Sequence, residues 1–338
     1  MTNGNKQVRK LQDLIHRSKG FGLIRVAVVN AAQEVVLETI RAAVELGIIE
    51  PVLIGESQAI RELSASAGLR YTAAHIIDAK SDVAAAAAGV ALVRDGKADV
   101  LMKGLIHTDV FLRAILDSEH GLRLPGRRVS HAFLCDIPSY SKLLCITDAA
   151  INIAPDLTAK AQILQNAIEL CQLLGVESPK AAVLSAVETV NPDIASTLDA
   201  AALTMMAQRG QIHGAIVDGP LAFDNAISLT AATEKGIASR VAGQADILLV
   251  PDLVSGNVLA KTLEYLAGAV AAGVVLGLTA PVILSSRSDP ATGRLAAVAL
   301  AALIHSRTPK RPKSKVSGVE PSLQAAPQPE SACCPLPM

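Results

Sequence analysis

Short apolar runs alternate with longer helix-like stretches along most of this chain, and that alternation restricts it to a few architectures. Strand-like runs fall at 24–30 (IRVAVVN), 51–54 (PVLI), 75–78, 98–102 (ADVLM), 181–185 (AAVLS), 213–217, 245–250 (ADILLV) and 281–285. Helix-like stretches at 33–47, 56–67, 81–95, 156–174 and 192–209 lie between most of them. This pattern specifies parallel sheets covered by helices on both faces. The region 129–147 (VSHAFLCDIPSYSKLLCIT) differs and reads as two strands joined by a turn at Pro138-Ser139. At 338 residues, the chain is long enough for two α/β domains with a cleft between them. No internal repeat is visible.

Composition excludes several classes. Lys+Arg and Asp+Glu both number 31, aromatics make up 2% and Trp is absent. Neither an electrostatic footprint for nucleic acid nor a base-stacking platform is expected. Cys135, Cys145, Cys171, Cys333 and Cys334 show no CxxC pair and no Cys/His ligand spacing, so structural zinc is not expected and a reducing cytoplasm is. No apolar stretch follows the charges of MTNGNKQVRK, so no signal peptide is expected. Tyr265 to Ser286 carries no charge and could span a bilayer by length. Its Gly268, Gly273, Gly277 and Pro281 instead suggest a buried helix, a glycine turn and a strand, PVILSS, with no membrane partner.

The apolar runs end on polar residues. Asn30, Lys103-Gly104, Ser185 with Glu188, Asp218, Pro251-Asp252 and Ser285-Ser286-Arg287 each follow one. Ligands of open α/β sheets bind outside the carboxyl ends of the strands. Asp218, in AIVDGPLAFDNA, is therefore expected at a strand mouth, with a turn at Asp218-Gly219-Pro220. Each such residue taken alone is also an ordinary turn or cap residue.

Two stretches are more specific. VPDLVSGNVLAKTL places Ser255-Gly256-Asn257 at a helix start, where backbone N–H groups attract anions, with Lys261 one turn beyond Asn257. SSRSDP gathers Ser286, Arg287 and Asp289: a hydroxyl for an oxyanion, a guanidinium fork for phosphate and a carboxylate for a proton. The same stretch also suits a capped helix start with Pro290 in the first turn. No GxGxxG follows a strand and no GxxxxGK[ST] occurs.

DGPLAFDNA, GQADILLVPDLVSGNVLAKTLEYLAGA and VILSSRSD resemble signature regions of the phosphate acetyl/butyryltransferases. LMKGLIHTDVFLRAIL, ITDAAINIAPDL and VLSAVETVNP resemble the butyryltransferase-like branch more closely. The resemblance runs from about residue 20 to 305. It implies an α/β fold of two domains like isocitrate and isopropylmalate dehydrogenases, with mostly parallel sheets and an interdomain cleft. The implied first domain is 1–140 completed by 287–306. The second, 141–286, would dimerise, and 307–338 would be a disordered tail. It implies reversible transfer of an acyl group, acetyl or butyryl, between coenzyme A and inorganic phosphate. Acyl-CoA and phosphate would be substrates, with no further cofactor and no metal.

By resemblance, Ser286 helps hold the transition state and Arg287 binds phosphate or coenzyme A. Acetyltransferases of the family carry an aspartate seven positions past that serine, where this chain has Gly293. Asp289, Asp218 and Asp252 are the candidate bases. Lys103, His107 and Thr108, in MKGLIHT, and Arg123, Arg127 and Arg128 are expected to line the cleft, with Ser255, Gly256, Asn257 and Lys261 as further substrate-binding residues. A Cys-acyl route is not expected, because Cys135, Cys145 and Cys171 lie in apolar runs.

Two other readings stand beside this one. A metal-dependent dehydrogenase of the same broad fold would use Asp218, Asp224 and Asp252 as ligands, although the histidines fall at no matching spacing. A non-catalytic protein binding coenzyme A or acyl phosphate would explain Gly293 but not an intact Ser286-Arg287.

Overall fold

The structure is a computed structural model that describes residues 7–66, 68, 75–285 and 289–308. The chain up to Arg307 clusters as one compact unit. The tail expected beyond residue 308 lies outside the described residues, as do Ser286, Arg287 and Ser288.

The N-terminal half winds as expected. β1 (Ile24–Val29), β2 (Ile49–Gly55), β3 (Ile76–Asp78) and β4 (Val100–Lys103) pair in parallel in the order β3-β2-β1-β4. Their run-on apolar sequences suit strands buried on both faces, and Val26 to Val29 are fully buried. Helices α1 (Leu11–Ser18), α2 (Glu34–Glu45), α3 (Ser57–Ser66), α4 (Asp82–Arg94) and α5 (Thr108–Leu116) lead into or follow these strands. The Ser81 side chain caps α4 by accepting from the Ala84 N–H at 3.2 Å.

β5 (Ser130–Asp136) and β6 (Leu144–Thr147) form the antiparallel pair foreseen around Pro138-Ser139. α6 (Leu157–Leu173), β7 (Lys180–Leu184), α7 (Ala195–Gln208), β8 (Ile216–Leu221), α8 (Phe223–Ile227), α9 (Leu229–Glu234), β9 (Ile247–Leu249) and α10 (Leu253–Leu266) follow. β10 (Val270–Leu276), β11 (Val282–Ile283) and α11 (Ala291–Arg307) complete the described chain. β11 pairs in parallel with β4, and α11 packs on α1, α2 and β10, so the last elements return to the first.

Among the described residues the strands make one 11-stranded sheet, β3-β2-β1-β4-β11-β10-β5-β6-β9-β7-β8. β10 runs against both β11 and β5, and β6 runs against β5. The remaining pairings are parallel. The parallel arm β3-β2-β1-β4-β11 therefore points opposite to the arm β6-β9-β7-β8. The strand exits form two groups at opposite edges of the sheet rather than one row.

Two local expectations are corrected. The run expected to stop at Val217 continues through Asp218, Gly219 and Pro220 to Leu221. β8 is an edge strand, paired only with β7, and an edge tolerates a proline that donates no N–H. Asp218 thus lies within a strand, not at its mouth. The stretch after Tyr265 is not a buried helix: α10 ends at Leu266, Gly268 turns the chain, and Val270–Leu276 is a strand antiparallel to both neighbours. Buried on both faces, VAAGVVL shows no period by which sequence separates strand from helix.

Candidate functional site

At the edge where β4 and β11 end, Met102 is in register with Ile283, so the two exits are neighbours. Lys103 is the last residue of β4 and is buried, its Nζ 3.5 Å from the Gly104 carbonyl. His107 occupies the N-cap position of α5 without a side-chain cap, and the His107 and Thr108 side chains are exposed. β11 leads through Leu284 and Ser285 into Ser286-Arg287, which lie outside the described residues.

Asp289 follows, with its side chain 3% exposed. Its Oδ1 lies 3.8 Å from Lys261 Nζ, which also bonds Glu264 Oε2 at 2.6 Å and sits 6.0 Å from the centre of the Tyr265 ring. Burial by itself would lower the Lys261 pKa, but the bond to Glu264 and the charges of Glu264 and Asp289 raise it overall, so the ammonium persists. The Asp289 carbonyl accepts from the Arg294 guanidinium. Gly293, one turn along α11, is pressed against β10: a Cβ there would lie 2.6 Å from the Ala271 carbonyl oxygen. No side chain fits at that position, so this backbone could not carry an aspartate there.

The exits of β6 and β9 build a second group. Asp148 is buried and accepts four hydrogen bonds: from the N–H groups of Ala150 (2.9 Å), Ile151 (3.0 Å) and His131 (3.1 Å), and from Asn152 Nδ2 (2.6 Å). Asn152 also donates to the Val129 carbonyl at 2.9 Å and accepts from Arg128 Nε at 2.9 Å. Arg128 is thereby tied to the loop after β6, while Arg127 pairs with Glu169 at 2.6 Å. Asp252 is the N-cap of α10, accepting from the Ser255 N–H and Oγ, each at 2.8 Å. The Ser255 N–H holds the Asp252 carboxyl below its ordinary range, against the opposing effect of burial. Gly256 allows this turn to meet the loop after β6, since a Cβ there would lie 2.9 Å from the Asp148 carbonyl oxygen. Asn257 donates to the Ala149 carbonyl at 3.3 Å.

His131 lies between the two groups. Its backbone N–H holds Asp148, while its ring, fully buried, packs edge-on to Phe133 with centroids 4.4 Å apart. Burial pushes the imidazole pKa down, with the Asp148 charge and the Leu284 carbonyl opposing. The His131 backbone thus ties the start of β5 to the loop after β6.

The structure groups Lys103, His107 and Thr108 near the β11 exit, and Lys261 with Asp289. It groups Arg128, Asp252, Ser255, Gly256 and Asn257 around Asp148. Asp218 belongs to neither. It accepts from the Gly219 N–H at 2.9 Å and lines a cavity of about 330 Å³ with Thr204, Gln208, Ser239 and Arg240. β8 is six strands from β11 in the sheet order, roughly 25–30 Å at the usual strand spacing. Asp224 pairs with Lys235 at 3.1 Å. Among the described residues, Asp218, Asp224 and Asp252 form no group able to hold a metal ion. Asp148, His131, Glu264 and Arg294 were not singled out from sequence. ITDAAINIAP was noted for its likeness to other chains, but nothing local marks Asp148 as the acceptor of four donors.

Residues 82–302 match the family model described as phosphate acetyl/butaryl transferase. Over 265 residues, 78% of this chain and 84% of its relative, the sequence is 51% identical to a phosphate acetyltransferase of Rhizobium meliloti. It is 40% identical to a phosphate butyryltransferase of Clostridium acetobutylicum over 88% of this chain and 98% of that one. Among solved structures, a branched-chain phosphotransacylase from Enterococcus faecalis superposes with a TM-score of 0.72 at 31% identity, covering 84% of this chain and 99% of that one.

Proposed function

This chain belongs to the phosphate acetyl/butyryltransferase family, and from that membership we propose that it transfers a short acyl group reversibly between coenzyme A and inorganic phosphate. The carrying observation is 40–51% identity to named acetyl- and butyryltransferases across most of the chain. Acyl-CoA and phosphate enter as substrates, not as resident cofactors. Neither a dehydrogenase nor a purely binding protein accounts for that identity.

Toward acyl-CoA, a carboxylate removes the proton from the coenzyme A thiol. The thiolate sulfur bonds the acyl carbon of the acyl phosphate, a tetrahedral oxyanion forms, and the carbon–oxygen bond to phosphate breaks. Asp289 is the base this chain offers, because Gly293 has no room for a side chain, Asp218 lies strands away and Asp252 caps a helix. A positioned acid–base group contributes about 10²–10⁴-fold. Ser286 stabilises the oxyanion and Arg287 grips the phosphate. Lys103, His107 and Thr108 line the approach from β4. Holding both substrates in one place contributes through orientation.

The enzyme is proposed to act as a homodimer. Val254, Val258, Tyr265 and Leu266 form an apolar stripe along α10 and are 66%, 59%, 68% and 84% exposed. A second copy burying this stripe accounts for it. A cytoplasmic location fits the three buried free thiols, Cys135, Cys145 and Cys171. Among the described residues no helix is long and apolar enough to cross a membrane.

The test mixes acetyl-, propionyl- and butyryl-CoA with phosphate and follows free thiol, in the unaltered chain and in Arg287→Ala. Phosphate-dependent release that collapses in the variant supports the reading and ranks the acyl chains. No release from folded protein with any of the three overturns it.

A further inference from the structure

Asp289, proposed as the base, is held by two cations, a buried Arg294 and a partly exposed Lys261. On α10, Lys261 Nζ lies 2.6 Å from Glu264 Oε2 and 3.8 Å from Asp289 Oδ1. From another side, Arg294 in the first turns of α11 is 6% exposed and donates to the Asp289 carbonyl. Its Nε donates to Thr39 Oγ1 on α2 at 2.9 Å, and Thr39 in turn donates to the Val35 carbonyl at 2.8 Å. A guanidinium is withdrawn from water only at a large desolvation cost. Here it joins Asp289 to α2, whose Thr39 is 255 positions from Arg294 in sequence.

Among the described residues, charged and titratable groups on two helices surround Asp289. α10 contributes Lys261, Glu264 and Tyr265, and α11 contributes Arg294. Cys135 on β5 lies near Glu264 and Lys261, its thiol pushed up chiefly by burial, so it stays neutral. Among the described residues, Lys261 faces the carboxyl and Arg294 grips the backbone behind it.

We propose that Lys261 and Arg294 are positioning residues for Asp289, Lys261 keeping its carboxyl ionised for thiol deprotonation and Arg294 fixing where that carboxyl stands. The proposal rests on the reading of Asp289 as the base. The proton passes from the coenzyme A thiol to the Asp289 carboxylate, and neither cation gains or loses one.

The experiment is a pH profile of kcat, with KM for phosphate and coenzyme A, in Lys261→Met, Lys261→Arg, Arg294→Lys, Thr39→Val and Asp289→Asn, each checked for folding by circular dichroism. An opposite charge within 4–6 Å lowers a carboxyl pKa by about 1–3 units. Lys261→Met should therefore move the acid limb of kcat upward by about one pH unit, with both KM values nearly unchanged. Lys261→Arg should restore most of that shift. Arg294→Lys should lower kcat about tenfold with the limb in place, and Thr39→Val, which removes the acceptor for Arg294 Nε on α2, about threefold.

An unmoved acid limb in folded Lys261→Met, with Asp289→Asn inactive, overturns the Lys261 assignment alone. So does a tenfold rise in KM for phosphate with the limb unmoved, which would make Lys261 a substrate ligand. Wild-type kcat in both Arg294→Lys and Thr39→Val overturns the Arg294 assignment. Full activity in Asp289→Asn overturns the base reading and the proposal with it.

Discussion

Gly293 meets the Ala271 carbonyl so closely that even a methyl group at this position would lie 2.6 Å from the oxygen. By the resemblance an acetyltransferase would carry an aspartate at this point of the sequence, and here α11 lies against β10 instead. The base proposed for this chain, Asp289, precedes α11.

Gly293→Asp should therefore not create a second base. It should overpack the contact between α11 and β10 and bury an unpaired carboxyl, costing about 3 kcal/mol or more. Denaturant unfolding measures this, and a variant of unchanged stability would show that the helix can move away from the strand.

Asp252 caps α10 through the Ser255 N–H and hydroxyl. Asp252→Ala should cost about 1 kcal/mol of stability at pH 7, and Asp252→Asn less. The Asp252 carboxyl is held below its ordinary range. Its charge-dependent stability is therefore present above the unfolded-state pKa of about 3.9 and lost as pH falls through the lower folded value. The alanine variant should converge on the unaltered chain only in strong acid. Convergence already at pH 5 would show that the carboxylate is not what the helix end uses.

Much of the fold is legible in the sequence because its signals are local. IRVAVV announces a central strand, and the turn at Pro138-Ser139 announces the pair β5–β6. β10 is hidden because VAAGVVL is apolar on both faces, and β8 because an edge strand runs on through Asp218-Gly219-Pro220, where its register against β7 shifts. At the site, Asp252 is readable as a cap because its partner is three residues away. Arg294 is not readable, since Thr39 becomes its partner only once α2 and α11 pack together. Asp148 is equally hidden, because its His131 donor comes from a neighbouring strand.

His131 is buried with its pKa pushed down, chiefly by burial. The folded state then binds a proton less readily than the unfolded chain, whose histidine titrates near about 6.5. Stability from this residue is complete above that pH and declines as pH falls below it. His131→Gln should flatten the fall in denaturant midpoint between pH 7 and pH 5. An equally steep fall in the variant would assign the acid sensitivity to other groups.

The apolar stripe on α10 supports the proposed dimer. Val258→Glu should halve the mass measured by light scattering while leaving the far-ultraviolet dichroism unchanged. A unaltered chain that is already monomeric at micromolar concentration would contradict the dimer.

The most direct measurement of the central claim is phosphorus NMR of a mixture of acyl-CoA, inorganic phosphate and the enzyme, begun separately from each side of the reaction. The account expects an acyl phosphate signal to grow as inorganic phosphate declines. It expects the same final composition when acyl phosphate and coenzyme A are the starting materials. Loss of acyl-CoA without any acyl phosphate, or formation of free acid alone, would contradict it.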